Sequence, residues 1–397
     1  MQAGLGAAGS ILLARMKDAA VEAGAASPIA EARGSVNFDL SEEQALLRNL
    51  IEKFAGDRYD PAKRLSYVRQ AHGFCLEGWA ALADTGLLAF PFAEEWGGFG
   101  GGSVELITVM EAIGRAVAVE PILPVILMAG GMIDKLGTDA QKSHWLPRLS
   151  AGEAMASLAH GEHSARFNQD SVATRAKGAR LSGAKQMALA GSVADVFVVS
   201  AIDETGEARF FLVQADAPGL TLRHYRMTDG SIASDLVLTN VPGEAMAGGL
   251  AALDDVLIDV RLAISAELIG LMAMMFDATL DYIKTRKQFG QPIGGFQAIQ
   301  HRMADNYARM ELSRSQLYRA AATRREDAAR AAAITGAKAY ISASAMALGE
   351  DAVQLHGGIG TTEELMVGQA FKRVMLLASL LGDSEWELRR YEALVAA

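Results

Sequence analysis

Apolar residues recur at helical spacing along the first part of the chain, give way to short alternating runs in the middle, and return to helical spacing towards the end. The segment Asn37-Phe-Asp-Leu-Ser41-Glu-Glu-Gln44 places a serine three residues ahead of a glutamine, the spacing of a reciprocal capping box, and so predicts a helix starting near Ser41. From there to about Leu158 the pattern stays helical, with breaks at Pro91, at Trp96-Gly-Gly-Phe-Gly-Gly-Gly102 and at Pro121 to Pro124. An all-α domain is therefore expected over 37–158. Between 159 and 259 the texture changes to runs such as Val196-Phe-Val-Val-Ser200 and Arg209-Phe-Phe-Leu-Val213, punctuated by Gly183, Gly191, Gly206, Pro218-Gly219 and Pro242-Gly243. These predict a small β domain. Helical periodicity then returns from Val260 to about Thr285, through Phe296 to about Arg325, from Ala329 to Gly349 and from Glu364 to Ala378. With alanine at many positions these segments predict a closely packed four-helix bundle over 260–397.

A length of 397 residues exceeds one ordinary core, and a composition 51% hydrophobic but only 7% aromatic favours helices over an all-β architecture. The fold class expected is mainly α with a central β domain. A formal charge of −10 without any cluster of Lys and Arg offers no electrostatic footprint for nucleic acid or an anionic membrane. No apolar run is long enough to predict a transmembrane helix. The single cysteine, Cys75, has no partner for an internal disulfide and fits a reducing, cytoplasmic setting as a small buried apolar residue. No paired Cys/His spacing suggests zinc, so no metal site is expected. Residues 1–36 are rich in Ala and Gly, and their apolar stretch Ser10-Ile-Leu-Leu-Ala14 lacks a preceding basic region. They are expected to form a flexible extension rather than a targeting signal.

The densest chemistry lies in Arg286-Lys-Gln-Phe-Gly-Gln-Pro-Ile-Gly-Gly-Phe-Gln297, between two helical segments. Arg286 carries a permanent, forked cation suited to a pyrophosphate. Gly290 and Pro292 force a bend, Phe289 and Phe296 offer flat faces, and Gln297 can donate and accept hydrogen bonds. A second cluster, Gln354-Leu-His-Gly-Gly-Ile-Gly360, has glycines whose backbone can approach phosphate oxygens without an intervening Cβ. An ordinary helix-ending Gly-Gly turn is the alternative reading of that cluster alone. Together, in this order and at this separation, the two strings resemble the flavin-contacting signatures of the acyl-CoA dehydrogenase family. So do Thr85-Gly-Leu-Leu88 and Gly137-Thr-Asp-Ala-Gln-Lys142 in the helical first part.

The resemblance, which runs over roughly 37–390, implies an α, β, α architecture, FAD as cofactor, and α,β-dehydrogenation of an acyl-CoA thioester. It places Arg286, Gln288, Phe289, Ile293, Phe296 and Gln297, with Gln354, Leu355, Gly357 and Gly358, against the FAD of a neighbouring subunit. His356 then reads as a packing or hydrogen-bonding residue. The family reaction needs a carboxylate base over the substrate α-carbon and the flavin against the β-hydrogen. At the position where most of the family carries that base the chain has Leu381, and at the minority position, beside Arg261, it has Val260. Neither takes a proton. Glu267 follows two helical turns on, roughly 10 Å from Val260, and reads either as a relocated base or, favoured by that offset, as a paired structural carboxylate. Asp383 stands where the family has a flavin-contacting Thr, and reads equally as a helix cap.

The β domain departs as well. Gly161-Glu-His-Ser-Ala-Arg-Phe-Asn168 replaces the family's Thr-Glu-Pro loop, and Met187 and Leu189 replace a Trp and a Thr beside the flavin ring. The half-site a subunit builds for itself is thus altered, while the motifs it donates are intact. This resembles the small or β-type subunits of heteromeric acyl-CoA dehydrogenases such as the pimeloyl-CoA and steroid side-chain enzymes. The expected assembly is a heterotetramer with a catalytic subunit, or a homotetramer if the base is relocated, with an electron-transfer flavoprotein as acceptor. A flavin-dependent monooxygenase or oxidase on the same fold is the alternative from another reaction class.

Overall fold

The computed structural model describes residues 41–163 and 165–396. The expectation for residues 1–36 lies outside the described residues. Helix α1 (Glu42–Arg58) starts as its capping box dictates: Ser41 Oγ accepts from Gln44 N at 3.2 Å and Gln44 Oε1 accepts from Ser41 N at 2.9 Å. Helices α2 (Pro61–Val68) and α3 (Leu76–Asp84) follow, then two 3₁₀ turns flanking Pro91, and α4 (Ser103–Ala116). The break read at Pro121 to Pro124 ends in a wide π-helical stretch, Leu123–Gly130, which runs into α5 (Gly131–Leu136). Helix α6 (Asp139–Ser150) completes this layer.

The first strand, β1 (Ala156–Ala159), starts ahead of the expected limit at 159. All four of its residues are buried where it pairs in parallel with β4 (Val196–Ile202), so it shows neither alternation nor a polar face by which a strand is recognised. With β2 (Arg175–Lys177), β3 (Arg180–Leu189), β5 (Ala208–Gln214), β6 (Leu220–Arg226), β7 (Ile232–Pro242) and β8 (Glu244–Ala245) it forms an eight-stranded sheet. The order is β6-β7-β3-β2-β4-β5-β8, with β1 on β4.

Helix α7 spans Leu250–Thr285, so the expected domain limit at 260 falls inside it. Its first turns carry the exposed Asp254 and Asp255, which interrupt the apolar period and hide the true start. A short ribbon, β9 (Lys287–Gln288) and β10 (Gln291–Pro292), leads to α8 (Gln297–Ala321), followed by α9 (Arg330–His356), α10 (Met366–Ser379) and α11 (Ser384–Ala396). The bundle is the expected four helices, α7 to α10, with α11 added against α9.

Helix α7 is the common wall of the N-terminal layer and the bundle. It crosses α4 at Gly114 and Gly270, where a Cβ on Gly114 would overlap the Glu267 carbonyl and one on Gly270 would overlap the Glu111 carbonyl. Side chains are excluded at this crossing because the two backbones are in contact. Gly56, at an exposed position of α1, has nothing within 4 Å of an added Cβ. Gly270→Ala is therefore expected to cost about 3 kcal/mol in chemical denaturation through overpacking. Gly56→Ala should instead gain about 0.5–1 kcal/mol from helix propensity and reduced unfolded-state entropy. Equal effects of the two would refute the contact at the crossing.

Candidate functional site

At the end of α7 the chain turns through the β9–β10 ribbon, whose two-residue loop, Phe289 (φ 53°) and Gly290 (φ 83°), has positive φ at both positions, as a tight hairpin requires. Ile293 N donates to Arg286 O at 2.8 Å and closes the base of this ribbon. Phe289 is 91% exposed, touched edge-on by Phe296 with centroids 6.1 Å apart. The Arg286 guanidinium makes no hydrogen bond or ion pair among the described residues, and Arg286, Gln288 and Gln297 are exposed while Ile293 and Phe296 are half-buried.

The second cluster ends α9. Gln354 is exposed and Leu355 half-buried in its last turn, and Gly357 (φ 69°) terminates it. Nothing lies within 4 Å of a Cβ added at Gly357 or Gly358, so both backbones face open space. The two clusters meet at one end of the bundle: the Tyr282 ring, one turn before Arg286, stacks on His356 with centroids 4.3 Å apart, and its hydroxyl donates to His356 O at 3.4 Å. An unpaired cation, a glycine backbone facing open space and the exposed ring of Phe289 suit a pyrophosphate carrying flat rings. Residues read from the sequence as touching a neighbour's cofactor are thus turned outward and brought together.

The chain's own half is built differently. Val260 is fully buried. Leu381 adopts φ 65°, an unfavourable conformation for a branched residue, and is followed by Gly382 at φ 141°. Two buried cations hold this turn: Lys338 Nζ donates to Gly382 O at 2.6 Å and Arg261 Nη2 to Leu381 O at 3.4 Å. Both answer to Glu387, itself fully buried, with Arg261 Nε at 2.9 Å and Lys338 Nζ at 3.6 Å from its Oε1. Burial pulls Lys338 down to about 8 and lowers Arg261, in each case against the attraction of Glu387. Asp383 accepts from Trp386 N at 2.8 Å and so serves as the N-cap of α11.

Glu267 is 1% exposed and accepts from Arg373 Nε at 2.7 Å, while its Oε2 has no partner. Arg373 also donates from Nη1 to Asp229 Oδ2 at 2.8 Å. Burial pushes Asp229 up, but Arg373 and the donors of Ser231 carry it net below the ordinary carboxylate range. Burial likewise opposes the Arg373 charge, yet Glu267 and Asp229 raise it overall. This ion cluster stands beside a cavity of only about 40 Å³, lined among others by Leu189, Asp229, Arg373, Leu376 and Leu380. Glu120 lines it too, raised by burial and accepting a short hydrogen bond from Tyr59.

The loop after β1 is pinned on both sides. Lys185 Nζ, fully buried, donates to Glu162 Oε1 at 2.7 Å and to Ser200 Oγ at 2.8 Å. Burial lowers Lys185 to about 8 despite Glu162; for Glu162 burial acts upward, yet Lys185 and the Thr174 donors bring it to about 2. Further along, Phe167 packs on Trp386 with centroids 5.7 Å apart, and Gln169 bridges Asp254 and Arg261 at 3.1 and 3.2 Å. Met187, at φ 55° in a bulge of β3, is 42% exposed, and Leu189 is buried. Sequence reasoning missed Arg373, Asp229, Lys338 and Glu387. The one available signal was Arg261 standing in the apolar centre of a helix, which demands a buried counter-charge.

The N-terminal domain model of the acyl-CoA dehydrogenases matches residues 41–153 and the C-terminal domain model residues 247–393. The protein named "Probable acyl-CoA dehydrogenase fadE25" of Mycobacterium bovis is 32% identical over 353 residues, covering 83% of this chain and 89% of its own length. The chain belongs to the acyl-CoA dehydrogenase family. "Probable acyl-CoA dehydrogenase YngJ" of Bacillus subtilis is 28% identical over 375 residues, covering 89% of this chain and 98% of its own. Among solved structures, a variant of the Tcur3481–Tcur3483 steroid ACAD superposes with a TM-score of 0.82 at 30% identity, over 89% of this chain and 98% of that one. The ChsE4–ChsE5 complex from Mycobacterium tuberculosis superposes with a TM-score of 0.82 at 26% identity, over 91% and 99%. The expected α, β, α fold of an acyl-CoA dehydrogenase is therefore the observed one. Among the described residues no group of three or more His, Cys, Asp or Glu side chains could hold a metal, and no helix is long and apolar enough to cross a membrane.

The Lys338 environment has a pH signature. Its folded value, about 8, lies below the ordinary 10.5, so between these limits the unfolded chain binds more protons and stability contributed by this group rises with pH. In Lys338→Met that rise should vanish. The wild type is expected to gain on the order of 3 kcal/mol relative to the variant between these pH limits, read from denaturation midpoints.

Proposed function

We propose that this acyl-CoA dehydrogenase family chain is the cofactor-completing, non-base-carrying subunit of a heteromeric FAD-dependent enzyme that dehydrogenates an acyl-CoA thioester. One observation carries the reading. Leu381, at the position where the family resemblance puts the base, is a half-buried apolar residue in a turn clamped by Arg261 and Lys338, whereas Arg286, Phe289, Gly357 and Gly358 stand open to solvent. FAD, when bound, supplies the acceptor for the hydride that leaves the substrate β-carbon. The residues of this chain would do three things for it: Arg286 would neutralise pyrophosphate charge, the turn at Gly357 and Gly358 would let phosphate oxygens approach its backbone without an intervening Cβ, and Phe289 and Phe296 would cover a ring face from water. The base would come from the other subunit. An electron-transfer flavoprotein as acceptor and a cytoplasmic location belong to the same reading.

Similarity to the steroid ACAD and to the ChsE4–ChsE5 complex supports a partner of the same fold. The full Arg-x-Gln-Phe-Gly string favours dehydrogenation over an oxygen-using flavoenzyme. A second reading, the self-sufficient homotetramer, has one observation in its favour: Glu120 lines the cavity with its carboxyl raised by burial. The 2.7 Å contact of Glu267 with Arg373 Nε favours a structural role for that carboxylate over a base.

The deciding experiment is the visible spectrum and flavin content of the chain expressed alone and with its co-purifying partner, followed by anaerobic addition of acyl-CoA thioesters. The expected result is flavin that bleaches only in the presence of a partner carrying a glutamate base. Near-stoichiometric FAD bleached by a thioester in the chain alone would overturn the heteromeric reading. Glu267→Gln should leave the turnover of the assembly unchanged while lowering stability by about 1–3 kcal/mol, because a charge-assisted hydrogen bond to Arg373 is weakened.

A further inference from the structure

Arg286 and Gly357 belong to different helices, and a grip on one pyrophosphate requires that they keep a fixed separation. The hydrogen bonds within each motif do not set that separation. Ile293 N to Arg286 O closes the ribbon on itself, and the amide of Gly357 is bonded back to Gln354 O and Val353 O of its own helix. Helices α7 and α9 pack along their length, and the contact between them that lies next to both motifs is an aromatic pair. Tyr282 stacks on His356 at 4.3 Å with the rings 24° apart, and donates to His356 O at 3.4 Å. His356 is 6% exposed and its Nδ1 donates to Ala352 O at 2.8 Å, which fixes the ring plane against α9. Arg286 N in turn donates to Tyr282 O at 2.8 Å, so the residue that stacks is also the one on which the Arg286 backbone is hung. The ring contact therefore ties the α9 terminus to the turn of α7 from which the Arg286 backbone leaves.

We infer that Tyr282 and His356 are positioning residues that set the spacing between Arg286 and the Gly357-Gly358 turn for one FAD pyrophosphate. The inference rests on the cofactor-donating role proposed above. It adds that affinity for the dinucleotide is set by an aromatic pair that need not touch the cofactor, and that the pair acts on the pyrophosphate end rather than on the flavin ring. FMN, which lacks the second phosphate and the adenosine, is the natural control.

The test uses the FAD-binding assembly purified through this chain, stripped of flavin and titrated with FAD and with FMN, alongside thermal unfolding. Tyr282→Leu is expected to weaken FAD by about tenfold while leaving FMN within about twofold, the range of one aromatic contact. Tyr282→Phe, which keeps the ring, should restore most of the FAD affinity. His356→Leu should match Tyr282→Leu, and the double variant should lose no more than either alone, the mark of one shared interaction. If Tyr282→Leu fails to fold, His356→Leu and Tyr282→Phe carry the same comparison. Arg286→Gln separates this inference from the reading beneath it. A wild-type assembly without FAD, or an Arg286→Gln assembly that binds FAD normally, would sink the donor role and this inference with it. Arg286→Gln weakening FAD while the Tyr282 and His356 variants do not, or weaken FAD and FMN alike with a lowered melting temperature, would sink the positioning role alone.

Discussion

The backbones of α4 and α7 touch, and most of what distinguishes this chain follows from that contact. Gly114 and Gly270 let the two helices approach until the carbonyl of Glu267 lies against Gly114. At such a separation the side chains of α7 have no freedom to slide: Val260, Arg261 and Glu267 are committed to fixed depths inside the molecule. The same helix ends at Arg286, so a rigid rod 36 residues long connects the sealed interior to the outward ribbon. Few alternatives could carry both functions, since a kinked or sliding α7 would let the ribbon move with respect to the α9 terminus.

Two ionic clusters are set along that rod, and they divide the labour. Arg261, Lys338 and Glu387 hold the Leu381 turn from below, with Glu387 as the counter-charge to both buried cations. Arg373, Asp229 and Glu267 join the β domain, α7 and α10. Neither cluster is an efficient way to stabilise a core, because the desolvation of each charge offsets much of the attraction between them. Their use is geometric: Glu387 answers to cations on α7 and α9, and Arg373 to carboxylates of the β domain and α7, which fixes how the layers meet. Leu381 and Met187 both adopt positive φ, and neither side chain can take a proton.

What could be read from sequence depended on whether the interacting residues were neighbours in the chain. The ribbon from Arg286 to Gln297 and the Gly357 turn are contiguous, and turn chemistry with aromatic and basic residues made them visible at once. The α, β, α order was legible from periodicity, yet β1 escaped because a uniformly buried strand has no polar face, and the start of α7 was masked by its exposed acids. Asp383 had two readings from sequence, and its bond to Trp386 N gives it the cap. The ion clusters could not be paired beforehand: Glu267 and Arg373 are 106 positions apart, Asp229 and Arg373 144, and Arg261 and Glu387 126. Charge complementarity at such distances is a property of the packed layers, not of any window of sequence.

The tip of the ribbon has a meaning for the life of the chain in a cell. A phenylalanine almost wholly in water, at the end of a stiff two-strand hairpin, is the kind of surface that chaperones and proteases read as unfinished. Copies made in excess of whatever covers Phe289 would keep that mark, and copies that have assembled would lose it. On the heteromeric reading proposed above, supply of this polypeptide would be tied to supply of the surface that covers it, and the ring would double as a tally of subunit balance.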